Sequence, residues 1–596
     1  MEKTNQELKV KTVSVSAAKG RPMLSWVGKR ALTRVTAFPA QKVEVFQPKD
    51  APKSDWDNLL FHGDNKEVLA YLLENGYRRR INLIYIDPPF DSKADYVRRV
   101  ELRGVKQTTE IPGEEQTFIE QIQYEDMWAQ DNYLQFMYER LLLLKELLAD
   151  NGSIYVHLDH RKNSQIRIIM DEIFGPENFQ REIIWRIGWV SGYKSVADNW
   201  IRNHETILYY TKDKEQRVFN KDYVPYPPDY ERWGGRPKGQ GLPIEDVWGV
   251  FPQEGVTSLQ VVSFSQELTD YPTQKPEGLL ERIIKASSKP NDLVLDCFVG
   301  SGTSAAAAQN LGRRWIACDI NKGAIQTTSK RLRKIINEQT KNYTKELVKV
   351  KDDKKIEPAS CSFSIYRVND YDLSIQRNEA VNLAIEHIGI QRKYSDTFFD
   401  GTLGNKLVKI IPFEHLLTLL DLQFIENELK TRPNEERDIV VVCLGKETRI
   451  DPFVAEINKK RPVNRYKIIE LRTDERYGKF FIHNPAKASV DIKKKDGKVF
   501  IEIKDFISPT IVERLKADEN IFSVKIKDFR SMIDTVLIDT NYDGKTFNIC
   551  YSDIPEKKTD LVRASYELPA PDKKSFTVVV KIIDMLGEEV IIRKDL

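Results

Sequence analysis

Between residues 56 and 212 the chain alternates short apolar runs with longer amphipathic stretches. Ile81–Ile86, Ser153–Leu158 and Thr206–Tyr210 are apolar runs of strand length, rich in Ile, Val and Tyr. Asn65–Glu74, Tyr133–Ala149 and Asn163–Phe174 place their apolar residues at helical spacing. Strands that are apolar on both faces and separated by helices predict βαβ units around a buried parallel sheet. The rhythm stops near residue 213 and resumes from Pro276 to about Lys341. In between, Tyr223 to Tyr230 and Trp233 to Gly241 carry too much Pro and Gly for regular strand or helix. The expected organisation is a basic N-terminal segment (1–55), one half of an α/β domain (56–212), an irregular insert (213–270) and the other half (271–341). A charged linker (342–360) and a separate mixed α+β C-terminal region (361–596) follow. Strand-like runs in that region are Asp438–Cys443, Lys467–Leu471, Val499–Lys504 and Thr577–Ile583. On this reading, a chain cut near Lys345 keeps every core strand.

A length of 596 residues is too great for one domain. The net charge of +3 is nearly balanced, so total charge does not point to nucleic acid. The first fifty residues are basic, with Lys3, Lys9, Lys11, Lys19, Arg21, Lys29, Arg30 and Arg34. Such an arm can touch phosphate or remain a solvated tail. No apolar run approaches the ~18 residues that span a membrane, and Met1 leads into a polar stretch unlike a signal peptide. The cysteines Cys297, Cys318, Cys361, Cys443 and Cys550 are scattered and odd in number. They point to a reducing cytosol, with neither a disulfide frame nor a zinc or other metal site expected.

Two loops carry the chemistry. Asp296 ends the apolar strand Leu293-Val294-Leu295, and Gly300 and Gly302 then allow a tight turn and a close ligand approach. Thr303 to Ala308 open a helix of small residues. Asp319 ends the next strand about twenty residues on, where an acid is placed to accept both ribose hydroxyls of an adenosine-type cofactor. A dinucleotide site would want a third glycine where this chain has alanines.

The other loop is Asp87-Pro88-Pro89-Phe90, at the end of Ile81–Ile86. The prolines fix φ and remove donors, so Asp87 and the Pro88 carbonyl can both accept hydrogen bonds from one NH2 group. Phe90 offers a face on which a base taken out of the helix can stack. The two loops, in this order, resemble those of the beta class of DNA amino-methyltransferases. The resemblance runs from about residue 25 to 335 and includes Asn58–Asn65, Tyr124–Trp128, Gly152–His157, Asn203–Thr206 and Tyr271–Pro276. With Trp26-Val27-Gly28-Lys29-Arg30 near the start, it is nearest to modification subunits resembling type III Mod proteins.

That resemblance implies a Rossmann-like doubly wound sheet in permuted order, the catalytic loop before the cofactor loop. It implies S-adenosylmethionine held by Asp64, Lys275, Pro276, Asp296, Phe298, Gly300, Gly302, Thr303 and Asp319. Asp87, Pro88, Pro89 and Phe90 would act on a flipped base in double-stranded DNA. Families of this kind more often show tyrosine where Phe90 stands; the stack is kept and a hydroxyl lost. Asp instead of Ser at position 87 leans toward N6 of adenine over N4 of cytosine, with an RNA or protein amine as a further alternative. The insert would read the target with Tyr230, Arg232, Trp233, Arg236 and Lys238, while Lys93 and Arg98 would close over DNA beside the catalytic turn. A helicase or restriction subunit as partner, and a homodimer, are compatible with the resemblance. His204 and Glu205 are read either as polar groups near the base pocket or, in preference, as a satisfied structural pair. Asp491 with Glu502-Ile503-Lys504 has the spacing of a nuclease metal site, but reads more simply as a charged hairpin turning at Asp496-Gly497.

Overall fold

The computed structural model describes residues 11–16, 23–89, 99–103, 110–112, 130–188, 198–226, 231, 235, 239–250, 254–257, 274–346, 357–368, 388–392, 396, 398–411, 417–443, 445–447, 449–470, 485–512, 528–555, 557 and 559–596. The chain divides into two compact units, residues 1–369 with 486–596, and residues 370–485.

The first unit is built on an eleven-stranded sheet. In chain order its strands are β1 (Ala40–Phe46), β2 (Asn58–His62), β3 (Ile81–Ile86), β4 (Leu148–Leu158), β5 (Phe179–Arg186), β6 (His204–Thr211), β7 (Val247–Trp248), β8 (Leu293–Asp296), β9 (Arg314–Asp319), β10 (Phe363–Val368) and β11 (Phe547–Ile549). Across the sheet they run β7-β5-β6-β4-β3-β8-β9-β2-β10-β1-β11. β4, β3, β8, β9, β2 and β10 are mutually parallel, while β6 lies antiparallel to β4.

Helices cover both faces. Helices α1 (Asn65–Glu74), α2 (Gln130–Leu147) and α3 (Asn163–Phe174) share a core with Ile84, Ile86, Val156 and Leu295. Helices α4 (Glu277–Ser287), α5 (Thr303–Asn310) and α6 (Lys322–Glu346) share the other with Leu83, Tyr85, Val294 and Trp315. Successive residues of one strand thus enter opposite cores, which is why the central strands read as unbroken apolar runs. This is the expected doubly wound α/β sheet, with β3 preceding β8 in the chain but lying beside it. α1 begins where the Asp64 side chain accepts the Lys66 N–H at 2.7 Å, and α3 ends at Gly175 with φ +92°.

Part of the basic N-terminal segment is docked. Lys11–Ser14 pairs with Arg34–Ala37, and Lys29 reaches the buried Glu172 at 2.7 Å while lying 4.6 Å from the Trp26 ring.

The boundary expected at 360 does not hold. Phe363–Val368 adds to the edge of β2 in parallel, and Phe547–Ile549 adds beyond β1. Two smaller sheets from residues 487–595 belong to the same unit, and the part that stands as its own unit is 370–485. That second unit is a five-stranded sheet with helices Leu419–Thr431 and Ile450–Lys460. The reason is that Leu59, Leu60 and Phe61 of β2 are buried on both faces and need a neighbour on each side. In the hairpin, Asp491 pairs in register with Glu502, and Lys493 and Lys504 bridge to Asp491, leaving a charged ribbon. Among the described residues no helix is long and apolar enough to cross a membrane.

A fragment ending at Lys345 loses β10 and β11 and lays open the edge of β2. It is expected to be insoluble or to melt well below the full-length chain in a thermal denaturation series. An unchanged melting temperature would show that the late strands are dispensable.

Candidate active site

The parallel strands end along one edge of the sheet, and the switch point between β3 and β8 opens a crevice there. Asp87 follows β3, His157 lies near the end of β4, and Glu205 lies at the start of the antiparallel β6, so all three reach the same edge. Lys275 enters from the segment just before α4. Its Nζ lies 2.7 Å from Asp87 Oδ2 and 3.7 Å from Glu205 Oε2. Glu205 Oε2 is also 2.9 Å from His157 Nε2, and the other imidazole nitrogen of His157 is 2.9 Å from the Tyr85 hydroxyl. Trp185 packs edge-on against His157 at 5.3 Å.

This is a buried charge network. Burial pushes the Glu205 carboxyl up, but Lys275 and His157 outweigh it and hold it down at about 2. Burial pulls the Lys275 ammonium down, but Asp87 and Glu205 hold it above its ordinary value. Burial raises the Tyr85 phenol well above its ordinary value, reinforced by Asp87 and Asp296, so it stays a neutral partner for His157. Among the described residues, Asp87 Oδ1 is buried and has no hydrogen-bond partner. A buried carboxylate oxygen in that state costs free energy until a donor meets it. Pro88, beside it, is buried.

The glycine loop forms the neighbouring wall. Gly300 and Gly302 have φ of +49° and +79°. A Cβ on Gly302 would lie 2.7 Å from Thr328 Oγ1, so nothing larger fits. Asp296 accepts the Phe298 N–H at 2.9 Å and the Ser304 hydroxyl, and burial pushes its carboxyl up to about 7. Asp319 accepts the N–H groups of Gly300 and Asn321, each at 2.9 Å, and burial raises it to about 6. It therefore holds the loop as well as facing it. Thr303, at the first turn of α5, donates to the Lys275 carbonyl at 3.1 Å, which joins the two loops directly. Pro276 sets the start of α4. Asp64 is engaged as the α1 cap and by Arg140 at 2.9 Å, while the adjacent Gly63 N–H donates to the Asp319 carbonyl at 3.0 Å. Phe298 is partly buried against Phe136, ring centres 6.1 Å apart.

The structure therefore brings together Asp87, Lys275, Asp296, Phe298, Gly300, Gly302, Thr303 and Asp319, with Asp64 alongside. Phe90, Lys93, Arg98, Tyr230, Arg232, Trp233, Arg236 and Lys238 lie outside the described residues. Tyr85 and His157 were not expected here, while Glu205, preferred as a structural pair with His204, takes the other reading, a polar group in the Asp87 network. Their signal was a polar ring or acid near the end of an otherwise apolar strand, at the edge where the loops lie.

Comparison with known proteins bears on the same stretch. A family model described as DNA methylase matches residues 81–330. The chain is 30% identical over 280 residues to the type II methyltransferase M.HpaI of Haemophilus parainfluenzae, covering 46% of this chain and 74% of that one. It is 27% identical over 409 residues to the type II methyltransferase M.EcaI of Enterobacter cloacae, covering 57% and 83%. Its match to the Mod subunit of the type III restriction-modification enzyme EcoP15I of Escherichia coli is 28% identical and spans 33% of that subunit. With both loops inside the matched stretch and meeting in one crevice, the chain belongs to the DNA methylase family.

Proposed function

We propose that the chain methylates the exocyclic N6 of a flipped adenine in double-stranded DNA, with S-adenosylmethionine as donor, as the modification component of a restriction-modification system. The observation that carries this reading is the unpartnered Asp87 Oδ1 beside the glycine loop. Lys275 occupies Oδ2 and keeps the carboxylate oriented, so Oδ1 is the free acceptor for one N–H of the amine. The Pro88 carbonyl is the expected acceptor for the other. Two such bonds hold the nitrogen, favour tetrahedral geometry and direct its lone pair. No strong base is needed before attack, because the proton is lost after the nitrogen has become cationic. S-adenosylmethionine supplies an electrophilic methyl on a sulfonium. The residues present fit that donor: a glycine turn without side chains, and two carboxylates at adjacent strand ends. Aspartate at position 87 favours adenine. Target reading is assigned to residues 213–270 and shared with the C-terminal part, since fewer than sixty loop-rich residues are few for reading several base pairs. A restriction or helicase subunit is the partner this reading calls for.

Asp87→Ala should abolish methyl transfer in single-turnover assays and leave S-adenosylmethionine affinity nearly unchanged. A near-wild-type rate would remove Asp87 from the chemistry. Nucleoside mass spectrometry of the product should show N6-methyladenine, and N4-methylcytosine would redirect the substrate.

Cofactor affinity should depend on pH. Burial raises the Asp319 and Asp296 carboxyls to about 6 and about 7, so both hold protons on the acid side of those values. A protonated carboxyl has lost acceptor capacity. Affinity should therefore rise as pH climbs through about 6 and about 7, with proton release on binding, read by calorimetry in buffers of different ionisation enthalpy. Asp319→Ala should weaken binding by about 1–3 kcal/mol and flatten the acid limb. A pH-independent affinity would show that neither carboxylate meets the cofactor.

A further inference from the structure

A cavity of about 360 Å³ opens between β1, β2, β10, α6 and the C-terminal strands Ile533–Tyr542, Thr577–Asp584 and Glu589–Asp595. Its described lining shares no residue with the Asp87 crevice. α6 serves both places with different faces. Thr328 and Arg331 donate to the backbone carbonyls of Gly300 and Ser301, while Gln326, Ser329 and Arg333 face the cavity.

The cavity is strongly cationic. Six Lys and Arg side chains line it against two carboxylates, Glu44 and Glu589. Both carboxylates are already shared at its floor. Glu44 takes Arg333 at 3.1 Å and also Lys581, while Glu589 takes Lys581 at 3.4 Å and Lys322 at 3.7 Å. Three cations thus account for both acids. Arg333 is 3% exposed, and its Nε has no hydrogen-bond partner among the described residues. Arg367 adds charge at the end of β10, and the exposed Lys545 and Arg593 add it at the rim. The Arg593 guanidinium lies 5.4 Å from the Tyr542 ring centre. A buried guanidinium donor left open as at Arg333 is costly until an acceptor meets it. Guanidinium groups suit the oxygens of phosphate. Between the charges, Val43, Ile365, Leu537 and Phe547 provide an apolar wall for a ring. The volume falls at the lower end of the roughly 300–1,000 Å³ of small-molecule sites.

We propose that this cavity binds a small phosphate-bearing ligand of about mononucleotide size, its phosphate among Arg333, Lys545 and Arg593 and its body against the apolar wall. The ligand is distinct from the methyl donor. α6 is the element common to this cavity and the glycine loop.

The test uses the full-length protein with its cofactor site saturated by S-adenosylhomocysteine. AMP, inorganic phosphate and adenosine are titrated by calorimetry and thermal shift. AMP should bind and raise the melting temperature, phosphate should bind more weakly, adenosine should not bind, and added salt should weaken AMP binding. Because Arg333→Gln disturbs a buried ion pair, the decisive variant is Lys545→Gln with Arg593→Gln, both exposed. It should bind AMP at least about tenfold more weakly while keeping the melting temperature of the AMP-free protein and the methyl-transfer rate. Absence of saturable binding by AMP and phosphate would overturn the proposal, as would equal AMP affinity in the variant. So would weakened duplex DNA binding by the variant without any AMP binding, which would assign the cations to the DNA backbone.

Discussion

The ion pair between Lys275 and Asp87 joins two parts of the chain 188 residues apart, and the crevice depends on it. Taking an ammonium and a carboxylate out of water is expensive, and their attraction offsets that cost only when further partners complete the network. Here Glu205 and His157 complete it from β6 and β4. The arrangement fixes one oxygen of Asp87 and leaves the other without a partner among the described residues, so a single contact both holds the two loops together and sets which oxygen stays open to the crevice. Thr303 reinforces the junction from the glycine side, through the Lys275 carbonyl.

The sheet sets a second constraint. Interior parallel strands cannot stop at an open edge when both their faces are apolar. β2 carries Gly63 and Asp64 at its end, next to Asp319, so anything that frays β2 loosens the cofactor wall. β10, β1 and β11 cover that edge, and for this reason segments distant in sequence belong to the same folded unit as the glycine loop.

Much of this was legible in the residues. Asn65–Glu74 and Asn163–Phe174 have the boundaries expected of them, because Asp64 and Gly175 mark a cap and a stop in chemical terms. The Asp87 turn and the glycine loop stood out because each needs particular backbone conformations that only Pro and Gly supply. What stayed hidden was pairing. A six-residue apolar run such as Phe363–Val368 looks the same whether it founds a new sheet or closes an old one, since periodicity reports a face and not a neighbour. β4 begins at Leu148, several residues before the apolar run at Ser153, because Leu148 already pairs with Ile81 of β3 ahead of a register shift. The partners of His157 were concealed likewise, since Glu205 reaches it from another strand.

The contact between Lys581 and Glu44 spans 537 residues. A ribosome delivers the first strand of the sheet long before the segment that finishes it, at roughly 5–20 residues per second. Until Phe363–Val368 emerges, the nascent chain therefore carries an unpaired apolar edge at β2, a template for wrong partners. High sequence separation also slows the final closure. Phe363–Val368 closes that edge first and Phe547–Ile549 closes the next one, at β1, much later, so the sheet is sealed in two separate late steps.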